Sequence, residues 1–383
     1  MFRFVFPFTL VMLILLFSCK RTQESVPVIN LLDYSEETTI NLTDLMSDIR
    51  IVPLEFIEDH PLSNRSQIHF GNKYIICTSN TALLQYNSNG EFLRILAYQG
   101  RGPGELEKLS FPVVNSDETM VYLINDYSDG RIECINLESG EFEEPIPVAF
   151  NSAVETFAYF GEDKLLIIPS NWQPTEYYYF IQDLKGNYVS GHKMKRDGLI
   201  QLNFRYIRPQ QFGEDFLFYH SKFTGDTIFK INQESMSPLL VFKGKGERVD
   251  MVEAGYNPFV RSITKDYLFI ENWFSEENGG AIEEISYYLM DSNLDVTRIS
   301  KIVNNITGAV YTGEDLKWFY WDKIISNNST IAIEISAMEF IESVNINQDN
   351  IDDDYRDRVK KISEKLSEYD NQVLLIGQTK RID

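Results

Sequence analysis

An alternating apolar segment, a polar turn and a second alternating segment recur along this chain, and that recurrence narrows the fold more than any other feature. The copies run over Ala82–Leu96, Arg131–Phe142, Tyr178–Val189, Thr227–Val241 and Tyr287–Ile299. Each reads as a β-hairpin. Asn, Asp, Ser and Gly at the centre tolerate the backbone angles of a tight turn, and the flanks alternate between two faces. The turn anchors are Gly90, Gly140, Gly186, Met236 and Leu294, at spacings of 50, 46, 50 and 58 residues. Another strand pair precedes the hairpin, as in Gln67–Phe70 and Tyr74–Thr78, so one repeat holds four strands.

A four-stranded sheet cannot bury both faces alone. Stacking such sheets around an axis hides those faces and leaves only short, protected edges. The ring must also be locked. Asp48–Phe56 reads as an extra N-terminal strand and Asn371–Gln378 as a C-terminal one. Both are expected in the last sheet, beside strands near Trp318–Ile325 and Thr330–Ile335. The 335 residues from Ile49 to Asp383 suit six repeats with insertions better than seven. The fold class is therefore all-β, a six-bladed β-propeller closed by N- and C-terminal strands in the last blade, with one short C-terminal helical insertion. An aromatic content of 13 %, with 26 Phe and 21 Tyr, agrees with strands.

The insertion is Asp352–Tyr369, which puts Tyr355, Val359, Ile362, Leu366 and Tyr369 on one helical face. Asp349–Asp354 lacks the glycine and the distant glutamate of an EF-hand, so these aspartates read as capping the helix rather than as a calcium loop.

The amino terminus carries an address. Met1-Phe2-Arg3 is a short basic start, and Phe4–Phe17 is uncharged and almost wholly apolar. That run is too short to span a bilayer and suits a signal-peptide core. Leu16-Phe17-Ser18-Cys19 then resembles a bacterial lipoprotein box, in which the cysteine thiol is acylated before cleavage. Three segments follow: a signal peptide over 1–18, a lipid-anchored tether over 19–44 with room for a docking strand at its end, and the propeller over 45–383. Cys77 and Cys134 remain, either as a disulfide or as small buried hydrophobes within strands.

Charge and motif content exclude several functions. Thirty-five Lys and Arg stand against 57 Asp and Glu, a net charge of −22 that repels nucleic acid. The histidines, His60, His69, His192 and His220, have no metal-ligand spacing, and neither His-Glu-x-x-His nor Gly-x-Ser-x-Gly occurs. No cofactor or metal is expected. Gly100-Arg101-Gly102-Pro103-Gly104-Glu105 is not followed by a phosphate-loop Lys and reads as a tight crossover between blades, with Arg101 and Glu105 paired locally or facing the channel. Arg101 is kept as a candidate ligand-binding residue. So are Trp172, at the start of the aromatic stretch Trp172–Phe180, and Arg205, Tyr206 and Arg208 in a basic–aromatic patch. Asn272-Trp273-Phe274 and Trp318–Trp321 are further aromatic clusters, read as packing between blades.

Val52-Pro53-Leu54-Glu55, the hairpin Tyr86–Phe92 leading into Gly100–Glu105, Gly225–Ile231 and Asp370–Leu374 together resemble the six-bladed β-propeller lipoproteins of the Bacteroidota, with NHL-like blades. The resemblance covers most of the mature chain. It implies architecture and envelope location, not a reaction. The expectation is a monomeric, lipid-anchored binding or scaffold module for an envelope protein, a peptide or a glycan. The alternative is a hydrolase or lyase with a metal-assisted site at the channel mouth. Lys20–Ser25 lacks the acidic run that resembles a surface-export signal, which points to the periplasmic face of the outer membrane.

Overall fold

The computed structural model describes residues 25–380 apart from 64–65, 110–111, 126–129, 162, 171–175, 194–209, 213–214, 219–226, 234, 244–254, 276–283, 320–322 and 328. The chain opens with β1 (Val28–Ile29), β2 (Glu37–Asn41), the short helix α1 (Leu42–Leu45) and β3 (Met46–Pro53). Blade 1 is β4 (Ile68–Phe70), β5 (Tyr74–Thr78), β6 (Ala82–Asn87) and β7 (Phe92–Gln99), with β8 (Glu105–Leu106) added to its outer edge. Blade 2 is β9 (Val113–Val114), β10 (Met120–Leu123), β11 (Arg131–Asn136) and β12 (Phe142–Pro147). Blade 3 is β13 (Val154–Tyr159), β14 (Lys164–Pro169), β15 (Tyr177–Asp183) and β16 (Tyr188–Lys193). Blade 4 is β17 (Gln210–Phe212), β18 (Asp215–Phe218), β19 (Thr227–Ile231) and β20 (Met236–Phe242). Blade 5 is β21 (Gly255–Ile263), β22 (Tyr267–Ser275), β23 (Glu284–Asp291) and β24 (Val296–Val303), with β25 (Val310–Thr312) paired to β24. After α2 (Glu314–Trp318), blade 6 takes β26 (Ile324–Asn327) and β27 (Thr330–Ile335). Helices α3 (Ala337–Ile346) and α4 (Asp353–Ser363) follow before β28 (Val373–Thr379).

Six sheets result, and the sixth has the order β26-β27-β28-β3, so both chain ends share it. β3 runs antiparallel to β28, with Val373 opposite Pro53 and Thr379 opposite Met46. The first strands of the blades meet around the axis, as β4 does with β26 and β9 with β13. Alternation along each strand sends side chains into the two neighbouring interfaces. Ile75 and Cys77 face blade 6, while Ile76 faces blade 2. Among the described residues the buried apolar side chains form six clusters, one for each blade–blade interface.

Each expected hairpin joins the third and fourth strands of blades 1 to 5. The constant element of the turn is an Asn or Asp closing the third strand. Oδ1 of Asn87, Asn136, Asp183, Asn232 and Asp291 accepts N–H bonds from residues two to four further on, at 2.8–3.1 Å. These side chains supply the turn with local acceptors and so substitute for ladder bonds. Gly90, Gly140, Gly186 and Leu294 take positive φ in their turns, whereas Met236 is the first residue of β20 and not a turn residue.

Four further expectations are corrected. Residues from Val28 onward do not belong to a tether. β1 lies parallel on the outer strand of blade 4, β2 parallel on that of blade 5, and the chain then enters blade 6 as β3. Leu31, Ile40, Leu42 and Leu45 of this strap are buried in the cores beneath it. An edge strand shows one face to water, which is why the segment reads as polar with scattered apolar residues. The C-terminal insertion holds two helices rather than one. Ser336 Oγ caps α3 by accepting from Glu339 N–H at 3.2 Å, and Phe340 and Val344 join Val359 of α4 in the blade 5–6 core. Helix α4 ends at Ser363, so Tyr369 falls beyond it and is 78 % exposed. Trp318 ends a helix, and the inner strand of blade 6 begins only at Ile324.

Cys77 and Cys134 are free and buried in different interfaces. Burial pushes both thiols up, that of Cys134 to about 11. An unfolded thiol titrates near 8.5, so this contribution to stability is complete below about pH 8.5 and drains away as pH rises toward the folded value. At pH 8 neither cysteine is expected to react with a maleimide until denaturant is added. Labelling of the folded protein at the rate of a free thiol would contradict this.

Candidate functional site

Of the candidate ligand-binding residues and the lipidation site, Arg101 alone lies among the described residues. Cys19, Trp172, Arg205, Tyr206 and Arg208 lie outside them. Arg101 is 83 % exposed and pairs with Glu107, its Nε donating to Oε1 at 3.0 Å. Its partner is thus not Glu105, whose Oε2 instead accepts from Gly102 N–H at 2.7 Å. β8 lies parallel to β7, with Tyr98 opposite Glu105, and Gly100 N–H donates to Leu106 C=O at 2.9 Å. The glycine-rich segment is a braced return from the outer edge of blade 1. A Cβ at Gly100 would sit 1.9 Å from the Glu105 carboxylate. An exposed ion pair of this kind contributes under about 1 kcal/mol.

The aromatic stretch beginning at Trp172 leads to a surface that the sequence did not assemble. Tyr177 opens β15, and the ring of Phe150 stacks on it at 5.1 Å with 13° between planes. Phe150 also meets Tyr188 at 5.3 Å and stands edge-on to the buried Phe180 at 5.5 Å. It belongs to the connector from blade 2 to blade 3, whereas Tyr177 and Tyr188 come from β15 and β16. Phe150 is 57 % exposed and Tyr188 42 %. At the edge of the rings, Lys193 Nζ lies 5.3 Å from the Tyr177 ring centroid and donates to Glu176 Oε2 at 2.9 Å. That bond holds the Lys193 ammonium above its ordinary pKa range. Desolvation, with Tyr177 beside it, raises the pKa of the Tyr188 hydroxyl.

Phe150 is held in this place against its own backbone preference. Its φ is +63° and ψ +10°, and Asn151 follows at φ +49°. A bulky side chain in the left-handed region costs about 1–2 kcal/mol. The connector is pinned from blade 3 by the fully buried Gln182, whose Nε2 donates to Pro147 C=O at 3.0 Å and whose Oε1 accepts from Ala149 N–H at 2.9 Å.

Of the other aromatic clusters, the Trp318 side chain, Tyr320 and Trp321 lie outside the described residues, and Trp273 and Phe319 are engaged within the fold. Trp273 Nε1 and Arg261 Nε both donate to Oε2 of the fully buried Glu271, each at 2.8 Å. The Arg261 guanidinium lies 5.3 Å from the ring centroid of Phe259 and 5.0 Å from that of Trp273. Arg261 is the extra residue of a bulge between Val260 and Ser262, which aims its side chain at Glu271. Phe319 is buried against Tyr311 at 4.9 Å. Among the described residues no three His, Cys, Asp or Glu side chains gather as a metal site. His60 bonds Thr81 Oγ1 through Nδ1 at 2.8 Å, and His192 stacks on Tyr178.

Three of the segments that carry the family resemblance converge on the closure. Glu55 N–H donates to Gly90 C=O at 2.9 Å, and Glu55 Oε2 accepts from Phe92 N–H at 2.8 Å. Asn371 Nδ2 donates to Glu55 C=O at 2.7 Å and its Oδ1 accepts from Leu62 N–H at 3.0 Å. They border a shallow cleft of roughly 320 Å³ lined by residues that include Leu54, Phe56, Gly90, Leu366 and Asp370. Their shared work is to bind the first blade to the last.

Six four-stranded units around one axis, the last completed by both chain ends, make this protein a six-bladed β-propeller. It belongs to the family described as domain of unknown function DUF4934, whose profile matches residues 26–378. Similar solved structures include an exported protein of Bacteroides fragilis, 13 % identical over 90 % of this chain and 100 % of that one, with a TM-score of 0.61. A protein of unknown function from Bacteroides thetaiotaomicron is 11 % identical over 86 % of this chain and 76 % of that one, with a TM-score of 0.43. No curated protein matches the sequence.

Proposed function

We propose that this protein is an exported, lipid-anchored β-propeller that binds a partner in the cell envelope, on the periplasmic face of the outer membrane. The observation that carries the binding role is the ring surface of Phe150, Tyr177 and Tyr188, with Phe150 and Tyr188 exposed, built on blade 3 and the strained connector that enters it. Strain of that kind persists where the surrounding structure over-determines it, and it concentrates at binding sites. The leader that precedes Cys19 and the description of the similar Bacteroides fragilis protein as exported support the location.

The strap adds a geometric consequence. Pro27 C=O already accepts from Val241 N–H at 2.9 Å, so docking begins eight residues after Cys19. Eight residues reach at most about 30 Å. Acylated at Cys19, the propeller hangs close to the bilayer by the rim of blade 4. A fatty-acid analogue should label the protein, and Cys19→Ala should abolish the label. Persistent label in Cys19→Ala would refute the anchor. For binding, the Cys19→Ala chain added to isolated envelopes should be retained, and Phe150→Ala/Tyr177→Ala in that background should not. Equal retention of the two would refute the role given to the ring surface.

A further inference from the structure

We infer that the Phe150–Tyr177–Tyr188 surface is a carbohydrate subsite that takes a neutral pyranose ring; this deepens the binding role above and rests on it. A pyranose shows a face of C–H groups with little charge, ringed by hydroxyls. The face of an aromatic ring carries the complementary negative quadrupole. Phe150 offers such a face at 57 % exposure, with Tyr177 stacked at 13° beneath it to keep the ring flat. Around the rings stand the groups that sugar hydroxyls need, namely the Tyr188 hydroxyl, the Lys193 ammonium and the Glu176 carboxylate.

Charge selects among sugars. The rim cation Lys193 is already paired with Glu176, and the chain as a whole carries −22. A polyanionic glycan would be repelled, and a neutral one would not. Pre-organisation favours a small ligand. Gln182 fixes the connector at Pro147 and Ala149, directly before Phe150, so Phe150 is ordered before anything binds and little entropy is lost on binding. Among the described residues the patch is three rings with an ion pair at their edge, much smaller than the apolar patch that a protein partner of ordinary affinity would need.

The backbone of Phe150 separates a ligand role from a packing role. Glycine accepts φ +63° without strain. In Phe150→Gly the denaturation midpoint should be unchanged or raised, although a large aromatic side chain has been removed. Sugar affinity should fall at least about tenfold, a loss of about 1.4 kcal/mol. The experiment is saturation-transfer NMR and calorimetry on the full chain in nanodiscs, with cellohexaose, laminarihexaose and xylohexaose as neutral probes and polygalacturonate as the anionic one. Transfer to ring C–H protons of a neutral probe, lost in Phe150→Gly and kept in Phe150→Trp, is the expected result. No transfer from any neutral probe, binding indifferent to Phe150→Gly, or a preference for polygalacturonate would overturn the assignment. If envelope retention depends on Phe150 while none of the sugars binds, the binding role stands with a protein partner and the carbohydrate class falls. If neither depends on Phe150, both fall.

Discussion

Gly90→Ala is expected to destabilise the protein by about 3 kcal/mol, although it adds only one methyl group to a turn. Two terms add. Gly90 has φ +87°, a conformation that costs an L-residue about 1–2 kcal/mol. Its new Cβ would also stand 2.2 Å from Pro53 C=O, and backbone there cannot rotate away. Overpacking of that severity costs a further 1–3 kcal/mol or so. Gly104→Ala is the control, since Gly104 has φ +75° and a Cβ added there would meet nothing within 4 Å. It should lose only the backbone term. Urea denaturation of the two variants measures the difference. Equal losses would show that the turn of blade 1 does not press on the closing strand.

Glu118→Ala should cost about 3 kcal/mol. Glu118 is buried, and its carboxylate reaches from the first turn of blade 2 into the first turn of blade 1. There Oε1 accepts from Asn72 N–H at 2.7 Å, and Oε2 accepts from Lys73 N–H at 2.8 Å and Tyr74 N–H at 3.1 Å. Hydrogen bonds to a charged group contribute about 1.5–3 kcal/mol each, and the orphaned donors regain water only in part. Glu118→Gln keeps the shape, loses the charge and offers one acceptor oxygen, so about half the loss is expected. Gly71→Ala tests the same contact from the other side, because its Cβ would lie 2.4 Å from Glu118 Oε2. Its penalty should shrink in the Glu118→Ala background, and strict additivity of the two losses would refute the contact.

The repeat was readable because a hairpin is a local object. Its two strands lie within about fifteen residues, and the turn chemistry that joins them is written between them. The true marker was the Asn or Asp at 87, 136, 183, 232 and 291, not the glycine that follows. Taking that residue as the anchor would have kept Met236 out of the turns. Helix α3 also left a signal, Ser336 with Glu339 three residues on, hidden by the apolar run of β27 before it. Glu118 left none, since a carboxylate in an acidic chain looks like any solvated turn.

Local patterning, then, was enough for the number of blades and for the closing strands at both ends, while it left Cys77 and Cys134 open between a disulfide and buried thiols. Blade number and closure depend on alternation or turn residues within a short window. The strap and the ring surface depend on which sheet edge a distant segment finds. Val28 meets Val241, and Phe150 meets Tyr177 and Tyr188. Sheet twist and ring closure bring those residues together, and neither leaves a periodic trace in the residues concerned.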